Sequence, residues 1–157
     1  MSRLAFHIVL VEPEIPSNTG NIARTCAVTG ATLGLVHPLG FSLEDKYLKR
    51  AGLDYWPEVR VIEFASLADV DRHYAGHRFF YFSTKGRRRY SDVRFLPGDV
   101  LVFGKETSGL PDALLEAHPA QVLRIPMRRT LRSLNLSNAV ALVLYEALRQ
   151  NDFPGLL

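Results

Sequence analysis

The chain has 157 residues, 47% hydrophobic and 22% charged, the size and balance of one globular domain with apolar mass for a single core. Its 11 glycines and 9 prolines exclude collagen-like and low-complexity classes, and no apolar run approaches the roughly 18 residues a membrane-spanning helix needs. The net charge of +3 is uneven: residues 1–78 hold 8 Lys/Arg against 9 Asp/Glu, whereas residues 79–157 hold 11 against 7.

Residues 6–11 (FHIVLV) have the length and apolarity of a buried strand, and the acids and prolines after them argue against a signal peptide. Asn18 or Thr19 is then placed to cap a helix that Gly30 ends. Residues 33–37 form a second strand candidate. Ser42 with Asp45 resembles a capping box for a short helix that stops near Gly52. Residues 59–64 are a third strand candidate, and Ser66 with Asp69 opens another helix. Residues 78–83 (RFFYFS) are aromatic and strand-like. Residues 100–103 and 121–125 complete six strand candidates, with a short helix over 111–116 between them. The last element, residues 135–150, places Leu136, Ala139, Val140, Val143, Leu144 and Ala147 at helical spacing. Strands alternating with helices predict an α/β fold, a parallel sheet flanked by helices on both faces. No internal repeat or linker divides it.

In such a sheet, ligands sit outside the carboxyl ends of the strands. Four segments leave those ends: EPEIPSNTGNIAR, STKGRRRY, GKETSGLP and PMRRTLRSLNLSN. All are rich in Gly, Ser, Thr, Asn and Arg. Two basic clusters lie here, Lys85, Arg87, Arg88 and Arg89, then Arg124, Arg128, Arg129 and Arg132. They suit a phosphate-bearing partner or a solvated surface, and charge alone leaves both open.

Common chemistries are missing. The dinucleotide fingerprint GxGxxG and the nucleophile elbow GxSxG do not occur. Gly104 and Gly109 have the glycine spacing of a P-loop, but Leu110 and Pro111 stand where it needs Lys and Ser or Thr. The five histidines show no HExxH pattern, and with Cys26 the only cysteine no metal site is expected. A lone cysteine also makes a reducing cytoplasm the default.

Three blocks change this picture: residues 18–25 (NTGNIART), residues 102–110 (VFGKETSGL), and Ile125-Pro126-Met127 followed by residues 133–140 (SLNLSNAV). In this order they resemble motifs one, two and three of the SpoU branch of the SPOUT RNA methyltransferases. The segments LVEPEIPSNTGNIART, LKRAGLDYW, FSTKG, FGKETSGLP and NLSNAVALVLYEALRQNDFPG are similar to the subgroup that methylates the ribose 2′-hydroxyl of the tRNA wobble nucleotide, cytidine or uridine. That resemblance runs from about residue 5 to residue 155. It implies a single SPOUT domain over residues 1–157 without an appended RNA-binding domain, and a deep C-terminal trefoil knot holding S-adenosylmethionine. It also implies a homodimer whose sites are completed by the other subunit, and the tRNA anticodon stem-loop as partner, with no membrane or metal involved.

By the same resemblance Phe82, Gly104, Ile125, Ser133 and Leu134 line the cofactor pocket. For Gly104 the expected reason is that a side chain would occupy ligand space. Arg24 and Asn135 are the catalytic candidates, Arg24 beside the target ribose and Asn135 on the ribose or over the cofactor. Spacing alone equally allows Arg24 to pair with Glu12 or Glu14, and Asn135 to be an ordinary helix cap. Asn18 and Glu106 are expected to tie loops together. Lys85, Arg87, Arg88, Arg89, Arg128, Arg129 and Arg132 are the expected RNA contacts, and Tyr47, Tyr55 or Trp56 are aromatics that stack on a base or fill the core. Tyr145 fits a core or dimer-interface role. Methylation of another tRNA position or of ribosomal RNA, and a non-catalytic RNA-binding role, are the alternatives.

Overall fold

The computed structural model describes residues 5–52 and 55–157. Strand β1 (His7–Val11) is buried at all five positions, as a strand must be when helices cover both faces of a parallel sheet. Around it, β2 (Thr32–Val36), β3 (Val61–Phe64), β4 (Phe79–Phe82), β5 (Arg88–Arg89), β6 (Val100–Phe103) and β7 (Val122–Arg124) form a seven-stranded sheet in the order β3-β2-β1-β6-β4-β7-β5. Every pair is parallel.

Alternation within the strands builds two cores. Ile8 and Leu10 face helices α1 (Pro16–Thr29) and α5 (Leu136–Gln150), which present Ile22, Ala23, Cys26, Val140, Val143, Leu144 and Ala147. Val9 and Val11 face the other way, toward Val70 of α3 (Leu67–His73) and Leu115 of α4 (Asp112–Ala117). Burying each such Val, Leu or Ile is worth about 1.5–3 kcal/mol, so the apolar stripe of α5 is a main anchor of the C-terminal half. Helix α2 (Lys46–Gly52) lies on α1. No helix among the described residues is long and apolar enough to cross a membrane.

Helix ends follow the expected chemistry in part. Gly30 takes a left-handed φ of 81° and its N–H closes α1 on the Cys26 carbonyl, and Ser66 accepts a hydrogen bond from the Asp69 N–H. Asn18 and Thr19 do not cap α1: Pro16, with its fixed φ and no N–H to satisfy, starts the helix after Ile15. Helix α2 also starts later than Ser42 implies, because Asp45 accepts from the Tyr47 N–H at 2.7 Å and Ser42 closes only a local turn on Glu44.

Strand β5 is not among the six strand candidates, since two arginines carry no strand signal of their own. It exists because β7 inserts between it and β4. The five residues 83–87 therefore bridge across β7. The Ser83 N–H donates to the Leu123 carbonyl at 2.9 Å. A Cβ on Gly86 would lie 2.7 Å from the Leu123 carbonyl carbon, so only glycine lets this strap cross the strand beneath it.

At the opposite end of the sheet, His7 is buried with Nδ1 2.7 Å from the Thr32 hydroxyl. Burial, helped by His77 and His73, lowers its pKa to about 4. It is a neutral core histidine. Burial pushes the Cys26 thiol up to about 12, which leaves it unreactive.

Candidate active site

Leu10, Phe103, Phe82 and Leu123 lie side by side near the carboxyl ends of β1, β6, β4 and β7. The four loops that leave these strands thus meet at one place. Between them is a cavity of about 370 Å³. Phe82 and Phe103 supply stacked rings with centroids 4.6 Å apart. Gly104, Ile125, Ser133, Leu134 and Asn135 line the cavity, with Asn18, Glu106, Lys85 and Arg132 around it. All five residues assigned to a cofactor pocket are brought together. Sequence separates them into four segments, and the sheet order makes them neighbours.

The rim is held by a reciprocal clamp between the loops after β1 and β6. The Glu106 carboxylate accepts hydrogen bonds from the backbone N–H groups of Glu14 (2.8 Å) and Ile15 (2.9 Å) and from Asn18 Nδ2 (3.2 Å). A carboxylate here also suits the positive end of α1. In return Glu14 accepts from the Thr107 N–H (3.0 Å) and hydroxyl (2.8 Å), which hold its carboxyl below the usual range. Lys105 pairs with Glu12 at 2.9 Å, and that contact raises the lysine pKa. Asn18 and Glu106 therefore tie loops, whereas Thr107 was not a candidate and Glu12 and Glu14 were candidates only as partners of Arg24. Their signal was the density of acids opposite a Lys-Glu-Thr run.

One expectation needs correction, and the alternatives left open for Arg24 and Asn135 narrow. Gly104 lines the cavity, but a Cβ there would fall 2.2 Å from the Gly109 carbonyl carbon and 2.3 Å from the Leu110 nitrogen. The glycine is required because the loop folds back on itself. Arg24 pairs with neither Glu12 nor Glu14, whose carboxylates are engaged as above. It stands on the exposed face of α1 with Cζ 4.7 Å from the Tyr55 ring centroid, and it does not line the cavity of its own chain. Asn135 does cap α5, accepting from the N–H groups of Ser137 (2.9 Å) and Asn138 (3.3 Å) and from the Ser137 hydroxyl. Its Oδ1 is occupied by capping, and the residue also lines the cavity.

The basic residues separate by partner. Lys85 forms an ion pair with Asp112, Arg88 donates to the Ala120 carbonyl at 2.9 Å, and Arg89 pairs with Asp92 at 3.3 Å. Among the described residues no carboxylate pairs with Arg87, Arg128, Arg129 or Arg132, all exposed. Of the candidate aromatics, Tyr47 is exposed beneath Lys46 and Arg50, and Trp56 packs against the core. Among the described residues no group of three His, Cys, Asp or Glu is placed to hold a metal ion.

Known proteins share this fold. A tRNA (cytidine(34)-2′-O)-methyltransferase of Polaromonas sp. (strain JS666) is 55% identical over 154 residues, covering 96% of this chain and 93% of that one. A structure solved for insight into the 2-OH methylation of C/U34 on tRNA superposes with a TM-score of 0.90 at 47% identity, covering 94% and 97% of the two chains. An AdoMet-bound rRNA methyltransferase from Sinorhizobium meliloti superposes with a TM-score of 0.81 at 26% identity, covering 92% of this chain and 56% of that one. Residues 5–145, which hold the clamp, the strap and every residue of the cavity, match the SpoU rRNA Methylase family, and the chain belongs to it.

Proposed function

We propose that this protein methylates the ribose 2′-hydroxyl of the wobble nucleotide of tRNA, cytidine or uridine, using S-adenosylmethionine, as a cytoplasmic homodimer. The observation that carries the reading is the single cavity at which Phe82, Gly104, Ile125, Ser133, Leu134 and Asn135 converge. The relatives named above supply the substrate.

The cavity suits the cofactor. Its volume lies in the range of small-molecule sites. Phe82, Ile125 and Leu134 offer apolar surface for an adenine, and the exposed Ser133 hydroxyl and loop amides offer polar contacts for a ribose. When bound, S-adenosylmethionine supplies an electrophilic methyl group, so the protein's tasks are to position and to polarise. The clamp fixes the rim. The Asn135 amide nitrogen donates toward a ribose oxygen while its carbonyl holds α5.

Arg24 serves the target sugar. A guanidinium stays protonated at any working pH, so it is no general base. It holds the adjacent phosphate and stabilises negative charge developing on O2′, while the hydroxyl proton leaves to phosphate or water. Arg24 lies off its own cavity, on the helix that packs against α5. The exposed apolar side chains Val28, Leu142 and Tyr145 on these two helices support a dimer in which Arg24 reaches the partner's cavity. The strap over β7 supports the reading of a C-terminal trefoil knot, in which residues 125–157 are proposed as the threaded end. Arg128, Arg129 and Arg132 are proposed to meet the anticodon stem-loop.

The test is mass mapping of ribose methylation on tRNA from cells lacking the protein, before and after it is restored. The wobble methyl group should vanish and return. Methylation changing at another position, or in ribosomal RNA, would replace the substrate. Calorimetry that showed no S-adenosylmethionine binding would favour a non-catalytic RNA-binding role.

A further inference from the structure

Arg24 is an exposed side chain with many rotamers, and an arginine that acts on an incoming ribose needs one orientation before RNA arrives. The fold provides a fixed surface for it. Tyr55 immediately precedes the short 3-10 turn Trp56–Glu58, and its carbonyl accepts from the Glu58 N–H at 2.9 Å. Trp56 packs against the core and Val59 is buried in it, so the turn that follows Tyr55 is anchored at its start and just past its end. This turn lies against α1. The half-buried Tyr55 ring then sits under Arg24, with the guanidinium carbon 4.7 Å from its centroid. That is inside the roughly 6 Å within which the negative face of an aromatic ring attracts a cation.

We propose that Tyr55 is a positioning residue, whose ring holds the Arg24 guanidinium in place for the ribose and phosphate of bound RNA. The inference rests on the proposed function of Arg24. It also reassigns Tyr55: a ring face covered by Arg24 is not the platform for a splayed base. Because the stack uses the ring quadrupole, the hydroxyl is dispensable and the electron density of the ring is not.

Two measurements test it. Nuclear magnetic resonance of arginine side chains reads the stack without any activity. The Arg24 Nε–H signal should be shifted upfield by the ring, unchanged in Tyr55→Phe and moved to the solvent-exposed position in Tyr55→Leu. An Arg24 signal already at that position in the unsubstituted protein would overturn the proposal. Kinetics on tRNA then reads the consequence. Tyr55→Phe should keep kcat within about twofold, and Tyr55→Leu should lower it about tenfold, the effect of a partly desolvated cation–π contact. Phenylalanines of increasing fluorination at position 55 keep the shape and weaken the quadrupole, and should lower kcat stepwise at constant KM for S-adenosylmethionine. A flat fluorine series would mean that the ring only packs. A rise in KM for tRNA at constant kcat would mean that it stacks on the base, and Phe as damaging as Leu would assign the role to the hydroxyl. Each of these three results overturns the inference. An unsubstituted protein that methylates no RNA overturns the function instead, and leaves the resonance result to decide the stack.

Discussion

Residues 85–89 and 128–132 look alike in sequence, each a run of bases in a loop at the carboxyl ends of the strands, yet the structure uses them differently. In the first run three of the four positive side chains are tied down, Lys85 to Asp112, Arg88 to the Ala120 carbonyl and Arg89 to Asp92. Arg88 and Arg89 also form β5 on β7. Their charge fastens the strap across the inserted strand. The second run has one backbone turn, from the Leu131 N–H to the Arg128 carbonyl at 3.1 Å, and leaves Leu131 60% exposed. Its arginines have no carboxylate partner among the described residues, so its positive charge is offered outward. A basic cluster reports a phosphate site only after its internal partners are subtracted.

The largest expected effect follows from that subtraction. Replacing Arg128, Arg129 and Arg132 together by Ala should weaken tRNA binding about 100-fold at 0.15 M salt. The slope of log affinity against log salt should fall in magnitude by roughly 2.1–2.7, since each neutralised phosphate contributes roughly 0.7–0.9. Filter binding over a salt series measures both. Cofactor affinity should change little if only RNA contacts are removed, although Arg132 also borders the cavity. An unchanged salt slope would erase the distinction between the two runs.

The same subtraction shows what sequence made legible and where it stopped. Buried strands such as His7–Val11 and the amphipathic α5 declare themselves, because burial imposes an apolar pattern on the chain. The cavity residues are legible through the resemblance of whole segments to a family, Phe82 in FSTKG and the others in the three blocks, not through any pattern of their own. Ser133 and Asn135 alone read as ordinary helix-opening residues, and Asn135 is indeed a cap. Strand β5 was illegible, since its existence depends on β7 arriving between it and β4 from 33 residues later in the chain (Arg89 to Val122). The partners of Arg24, Lys105 and Glu14 were equally hidden. Each meets a residue brought near by the sheet order, so spacing along the chain carried no information about it. The reason for Gly104 was misread on the same ground, because the contact it avoids is with its own loop.

A smaller effect, opposite in sign, sharpens the comparison. If Lys85 is withheld from RNA by Asp112, then Asp112→Asn should release it and strengthen tRNA binding about two- to fivefold. The salt slope should steepen by close to one phosphate's share, roughly 0.7–0.9. Folding stability should fall by no more than about 1 kcal/mol, because exposed ion pairs contribute little. Binding isotherms at three salt concentrations and a urea titration would check it. Weaker binding in Asp112→Asn would show that the pair itself shapes the RNA surface.

The smallest effect is the most discriminating, because it separates two uses of one residue type. Arg89 holds Asp92 through its side chain, while the Arg89 backbone N–H also donates to the same carboxylate at 3.3 Å. Arg89→Ala removes the first contact and leaves the second, so β5 should persist. Stability should drop by about 0.5 kcal/mol, the usual scale of an exposed pair, and tRNA affinity should change less than about twofold. Arg129→Ala should do the reverse, with no measurable loss of stability and several-fold weaker binding. A double-mutant cycle with Asp92→Ala isolates the pair: in the Asp92→Ala background, Arg89→Ala should cost nothing further in stability. If Arg89→Ala instead weakens RNA binding as much as Arg129→Ala, a carboxylate partner does not withhold an arginine from phosphate here, and both runs belong to one surface.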